Sequence, residues 1–296
     1  MNILSIRGGG IKGLVSAMIL QDLERLAGRP VADLFDLIIG TSTGGIIAVA
    51  AGLGVSASDI CDLYVQRGSA IFARRWLLGL FAARYDIGNL RAELRGRVGT
   101  AAFGECRTKV TVTAVDWDSS HAMFFKSWQH GFLSAVDVAS ATSAAPTYFD
   151  PVAIAPCKQF GGGRFVDGGL FANNPALYGI VEAVKAGRTL DQVSVVDIAC
   201  PDSPVAPARR SAGGVFGVLP HIVDALIDAG VDASAHACSK LLGERCLEVR
   251  PTLDGASRRM DDASRGNLHA LQAAGHRQAS ECAYRIADFV GVTRGR

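Results

Sequence analysis

Gly40-Thr41-Ser42-Thr43-Gly44 sets a serine at the centre of a G-x-S-x-G pentapeptide. Context turns this common pattern into chemistry. Asp36-Leu37-Ile38-Ile39 before it reads as a buried strand, and Ile46 to Leu53 after it as a helix of small residues. A serine on such a strand-to-helix turn, a nucleophile elbow, holds its hydroxyl out at the carboxyl end of a sheet. Its neighbours must be small where backbone and helix approach closely, and Gly40, Thr41, Thr43, Gly44 and Gly45 meet that requirement. The plainer use of the same residues is a glycine turn with Ser42 as the helix N-cap.

A second glycine turn, Gly8-Gly9-Gly10-Ile11-Lys12-Gly13, follows the short apolar run Ile3 to Ile6 and precedes a helical pattern from Leu14 to Ala27. Its spacing also fits G-x-G-x-x-G, the dinucleotide fingerprint. That reading requires an acidic residue closing the next strand, whereas the next strand closes on Gly40-Thr41-Ser42. The better use of Gly8, Gly9 and Gly10 is an oxyanion hole, with backbone N–H groups aimed at developing negative charge and a helix dipole behind them. Lys12 supports the same loop.

A serine nucleophile needs a base. The histidines are His121, His130, His221, His236, His269 and His276, and none lies in a glycine turn at a strand end. Asp167 does. Asp167-Gly168-Gly169 ends the short strand Arg164-Phe165-Val166 and runs into Leu170-Phe171-Ala172-Asn173-Asn174-Pro175, so one carboxylate is delivered among residues without bulk. An ordinary Asp-Gly turn is the alternative.

Two successive strand-turn-helix units predict parallel strands with crossover helices. Lys109 to Ala114 alternates like a strand and Ala122 to Lys126 like its partner. Ser134 to Ser143 reads as a helix, Pro175 opens another that Gly187 closes, and Val193 to Ala199 is a further buried strand. Residues 201–217 form a mobile loop or linker, with Arg209 to Gly217 as a lid over the site. Residues 218–296 form a helical C-terminal part of the same single domain, 1–296. Ile71 to Tyr85 mixes aromatics, leucines and arginines, and is read either as an interfacial segment with Trp76 and Phe81 in lipid or as a helix packed on the core.

Composition agrees with a globular chain of 296 residues, 49% of them hydrophobic, with a net charge of +2. Such a balance argues against duplex nucleic acid as the main partner. The seven cysteines contain no CxxC pair, so neither a zinc site nor a disulfide framework is expected, and no metal or cofactor is called for. With the cysteines read as reduced thiols and no basic leader or long apolar run, a cytoplasmic chain is expected.

Together, Gly8 to Gly13, Gly40 to Gly45, Ala144-Ala145-Pro146 with Tyr148-Phe149, and Asp167-Gly168-Gly169 with Asn174-Pro175 resemble the patatin-like phospholipase family over about residues 1–200. The resemblance implies a three-layer α/β/α sandwich with a mostly parallel central sheet, and hydrolysis of phospholipid acyl esters at the inner membrane surface. It implies Ser42 as nucleophile and Asp167 as base in a dyad without histidine, with Gly8, Gly9 and Gly10 as oxyanion donors. Compact bacterial members switched on by cyclic nucleotides in antiphage defence are similar in size and N-terminal pattern, which implies a cyclic nucleotide activator, with a homo-oligomer as the assembly to test. The reading from another class is a nucleotide or second-messenger module whose glycine loops hold phosphate without ester hydrolysis. Arg7 departs from the family, which usually has Asp before the glycine run. A cation there is expected either to favour anionic groups at the site or to be solvated.

Overall fold

The structure is a computed structural model that describes residues 1–75, 83–202 and 214–292, and the side chains of these except 214–226. Trp76 and Phe81, like residues 203–213 of the expected loop and lid, lie outside the described residues.

The strands are β1 (Asn2–Ile6), β2 (Leu37–Gly40), β3 (Lys109–Asp116), β4 (His121–Lys126), β5 (Val152–Ile154), β6 (Gly163–Asp167), β7 (Ser194–Ile198) and β8 (Cys246–Val249). They form one sheet in the order β5-β6-β3-β2-β1-β7-β8, with β4 also on β3. β3, β2, β1, β7 and β8 are parallel. β4 and β6 run antiparallel to β3, and β5 antiparallel to β6.

Ile3, Leu4 and Ile6 of β1 and Leu37, Ile38 and Ile39 of β2 are all fully buried, so both faces of the sheet must be covered. The helices are α1 (Gly13–Ala27), α2 (Thr43–Gly52), α3 (Ala57–Ile71), α4 (Ile87–Val98), α5 (Ala135–Ser143), α6 (Gly169–Ala172), α7 (Ala176–Lys185), α8 (Gly214–Leu242) and α9 (Arg265–Phe289). Side chains alternate along a strand. Leu4, Ile6 and Ile38 therefore join the core made with α1, α2, α5 and α9. Ile3, Leu37 and Ile39 meet Ala176, Ile180 and Ala183 of α7 and Cys238 and Leu242 of α8 on the opposite face. This is the three-layer sandwich with a mostly parallel sheet.

Two expectations need correction. The part beyond residue 218 is helical but also supplies β8, which extends the parallel sheet beside β7. Residues 214–217 belong to the start of α8 rather than to a loop.

One feature of the sheet fixes the site. β4 pairs Thr111 to Asp116 along one edge of β3, so β2 and β6 must share the other. β2 climbs that edge until Gly40 stands opposite Val112, and β6 descends it until Asp167 stands opposite Ala114. The two strands meet tip to tip across Thr113. The elbow after β2 and the carboxylate ending β6 are thus brought to one point from opposite directions.

Candidate active site

Ser42 has φ +57° and ψ −127°. A positive φ is uncommon for a residue with a side chain and costs about 1–3 kcal/mol, held only by an over-determined surround. That surround is present. The Ser42 N–H donates to Thr142 Oγ1 (3.1 Å), and its carbonyl accepts from Ile46 N–H (3.0 Å) and Ser143 Oγ (3.1 Å). Thr41 N–H donates to the Ile6 carbonyl (3.2 Å), and Thr41 Oγ1 lies 2.6 Å from the Ala172 carbonyl and 2.7 Å from Thr113 Oγ1. Gly44 sits so close to β1 that a Cβ there would fall 2.1 Å from the Ile6 carbonyl oxygen. Gly40 is under the same pressure, its Cβ position lying 2.2 Å from the Gly44 carbonyl. The elbow is wedged between β1 and α5, and Ser42 alone of Thr41, Ser42 and Thr43 is partly exposed.

Asp167 is 4% exposed. Its Oδ1 accepts from Gly169 N–H at 2.7 Å, and the Ser42 side chain stands close enough to the carboxylate to lower its pKa. Gly168 passes over Thr113 so closely that a Cβ would lie 2.1 Å from its Oγ1, which lets the chain turn away directly after the carboxylate. Among the described residues no cation pairs with Asp167. Burial therefore dominates and pushes its pKa up to about 6, with the Ser42 side chain and the Gly169 N–H pulling the other way. At neutral pH the group is therefore an ionised, weakly solvated carboxylate beside the serine turn. No described histidine hydrogen-bonds to either residue. His130 Nδ1 instead accepts from Lys126 N–H (3.1 Å).

The glycine run lies alongside, since a Cβ on Gly8 would stand 3.0 Å from Ser42 Cβ. Its members are not equivalent. Gly8 N–H donates to the Asn173 carbonyl (3.2 Å), so Gly8 is not the free oxyanion donor expected from the sequence. The N–H groups of Gly9 and Gly10 have no acceptor among the described residues. Gly10 has φ +61°, and a Cβ there would meet the Met260 carbonyl oxygen at 2.2 Å, so glycine is required twice over. Ile11 N–H is taken by that same carbonyl at 2.9 Å. The Cys200 thiol packs under Gly9, with Lys12 nearby. Burial drives that thiol pKa up against the opposing pull of Lys12.

Arg7 is neither solvated nor aimed at the site. It is 6% exposed and bonded to Asp197 through Nε (3.1 Å) and Nη2 (2.5 Å), with Glu248 as a second carboxylate partner. Burial works to lower its pKa, but the two carboxylates outweigh it and hold the guanidinium above its ordinary value. A lone acidic residue in the apolar run Val195-Val196-Asp197-Ile198 was the signal for this partner, because a buried charge must be paired. Asn173 and Asn174 were likewise visible only as neighbours of Asp167. At the far end of the proposed interfacial segment, Tyr85 is buried, and its hydroxyl donates to Asp261 Oδ2 at 2.8 Å, so this residue packs on the core.

Fold and site together define an α/β protein with a serine elbow facing a buried aspartate and two open backbone donors. The chain belongs to the patatin-like phospholipase family, whose model matches residues 4–180. A cGAMP-activated phospholipase of Pseudomonas aeruginosa is 37% identical over 192 residues, covering 61% of this chain and 56% of the relative. One of Vibrio cholerae is 33% identical over 251 residues, covering 74% and 69%. Patatin-like protein 2 of Arabidopsis thaliana is 32% identical over 216 residues, covering 62% and 53%. The chain thus spans little more than half the length of the Pseudomonas and Arabidopsis relatives. Among the described residues, no helix is long and apolar enough to cross a membrane, and no cluster of potential metal ligands occurs.

Proposed function

We propose that this chain is a lipid acyl hydrolase of phospholipase A type, acting through a Ser42–Asp167 dyad and an acyl-enzyme. The observation that carries the reading is Ser42, held at φ +57° on the turn after β2, beside the buried Asp167 carboxylate that ends β6 and has no cationic partner among the described residues. As Ser42 Oγ attacks the ester carbonyl, Asp167 takes its proton, and the oxyanion is received by Gly9 and Gly10 N–H with α1 behind them. Collapse expels the lysolipid alcohol, to which Asp167 returns the proton. Water activated by Asp167 then attacks the acyl-serine and releases the fatty acid.

The names of the bacterial relatives support a cyclic nucleotide activator, and the lipid substrate supports action at a membrane surface. Confinement of Arg7 to internal ion pairs counts against the phosphate-holding module, since the cation beside the glycine run is already spent. The test is a fluorophosphonate probe with Ser42→Ala and Asp167→Asn. Labelling and phospholipid hydrolysis in the wild type, with both lost in Ser42→Ala, are expected. Undiminished hydrolysis by Ser42→Ala would overturn the proposal.

A further inference from the structure

The glycine run and the base loop belong to distant parts of the chain, and they can cooperate only if held within about 0.5 Å of one geometry. Asp197, on β7, is 2% exposed and touches neither Ser42 nor Asp167. Its Oδ1 accepts from Ser5 Oγ (3.1 Å). Its Oδ2 accepts from Arg7 Nε (3.1 Å) and Nη2 (2.5 Å), directly before the glycine run, and from Asn174 Nδ2 (2.9 Å), directly after the base loop. Asn174 is itself fixed, its side-chain oxygen accepting Ala176 N–H (3.0 Å) and its carbonyl accepting Ser234 Oγ (3.0 Å). The adjacent Asn173 carbonyl takes Gly8 N–H at 3.2 Å, a second strap between the same two loops.

We propose that Asp197 is a positioning residue: one buried carboxylate gripping Arg7 and Asn174 together, so that the Gly9 and Gly10 donors and the Asp167 base keep one geometry about Ser42. This rests on the dyad reading and adds a residue that lies outside the 4–180 family match. It also gives Arg7 a role. A cation entering the glycine run supplies the counter-charge that makes a gripping carboxylate tolerable in the interior. Glu248, also bonded to Arg7 and to the exposed Arg250, ties the outer side of the guanidinium to β8.

The experiment measures kcat and KM on a soluble short-chain ester, fluorophosphonate labelling rate and melting temperature for Asp197→Asn, Asn174→Ala, Arg7→Lys and Arg7→Met. In Asp197→Asn the new amide sets a donor against the donors of Arg7 or Asn174, and loosened alignment is expected to lower kcat roughly 10- to 100-fold. KM should stay within about two-fold, because ground-state binding is untouched. Labelling should slow in parallel, and Arg7→Lys should recover part of what Arg7→Met loses. A merely structural role would lower the melting temperature while the folded protein kept its kcat. Folded Asp197→Asn turning over at the wild-type kcat overturns the proposal. If Asp197→Asn does not fold, Asn174→Ala cuts the strap to the base loop without stranding a charge, and loss of kcat there supports the clamp while wild-type kcat refutes it. Activity surviving in Ser42→Ala would refute the dyad, whereas inactive Ser42→Ala beside fully active Asp197→Asn refutes the clamp alone.

Discussion

Replacing Asp167 by Asn should remove activity and raise stability in the same variant. The folded carboxylate titrates at about 6 against an ordinary 3.8, chiefly because burial strips its hydration. Between those values the native state holds a proton that the unfolded chain has released, so stability falls as pH rises through the interval, and above it the whole penalty persists. The difference of about two pH units corresponds to about 3 kcal/mol. Asn keeps the shape, can accept the Gly169 N–H through its side-chain oxygen, and carries no charge to desolvate. At pH 8 Asp167→Asn should therefore unfold at a higher urea midpoint and melt several degrees higher. Near pH 3.5, where wild-type Asp167 is protonated in the folded state and mostly so in the unfolded chain, the advantage should all but vanish. Parallel urea titrations at the two pH values, with ester turnover at pH 8, make the assay. A variant that is inactive but no more stable at pH 8 would refute the electrostatic account of the site. One that is more stable and still active would refute the role of Asp167 as base.

The acid limb of wild-type kcat/KM on a soluble ester should fall with a midpoint near 6, and a limb placed near 4 would show a solvated carboxylate. Gly9→Ala, whose Cβ would stand 2.1 Å from Cys200 Sγ, should displace the donor loop and lose roughly 10² to 10³ in turnover; unchanged kcat would make this loop structural only. Ser42→Gly should be inactive yet gain about 1 kcal/mol by relieving the positive φ, and a lower urea midpoint than wild type would show that the elbow carries no strain. Single His→Gln changes at the six histidines should each keep most of the activity, and one inactive, well-folded variant would point to an imidazole base.

What could be read in the sequence was local. The elbow announces itself because strand, small turn and helix are contiguous, and α1 ends where Gly28 adopts φ +65°. What escaped depends on partners remote in the chain. The Gly8 N–H looks like its neighbours until the Asn173 carbonyl arrives to occupy it. Arg7 looks like a cation for a ligand until the sheet sets Ser5 beside Asp197 and Asp197 beside Glu248. β8 is only four residues long, Cys-Leu-Glu-Val, and just one of them is buried, so neither alternation nor an apolar run marks it. Tyr85, at the end of the 71–85 segment, is buried, because an amphipathic aromatic suits a lipid boundary and a buried hydrogen bond equally well.

In the proposed dyad, the meeting of β2 and β6 on one edge of β3 is the reason that two side chains suffice. In a triad the carboxylate orients an imidazole that bridges it to the serine, since the loops bearing the three groups are separate. Here opposed strand ends bring serine and carboxylate to neighbouring points on either side of Thr113, so the proposed dyad needs no bridging imidazole. A solvated aspartate would be too weak a base for that shorter arrangement. Closing α6 and α5 over the strand tips supplies the remedy, because the same burial that removes water raises the proton affinity of Asp167 toward the working range. The energetic cost of that burial falls on folding, and it is the cost that Asp167→Asn should release.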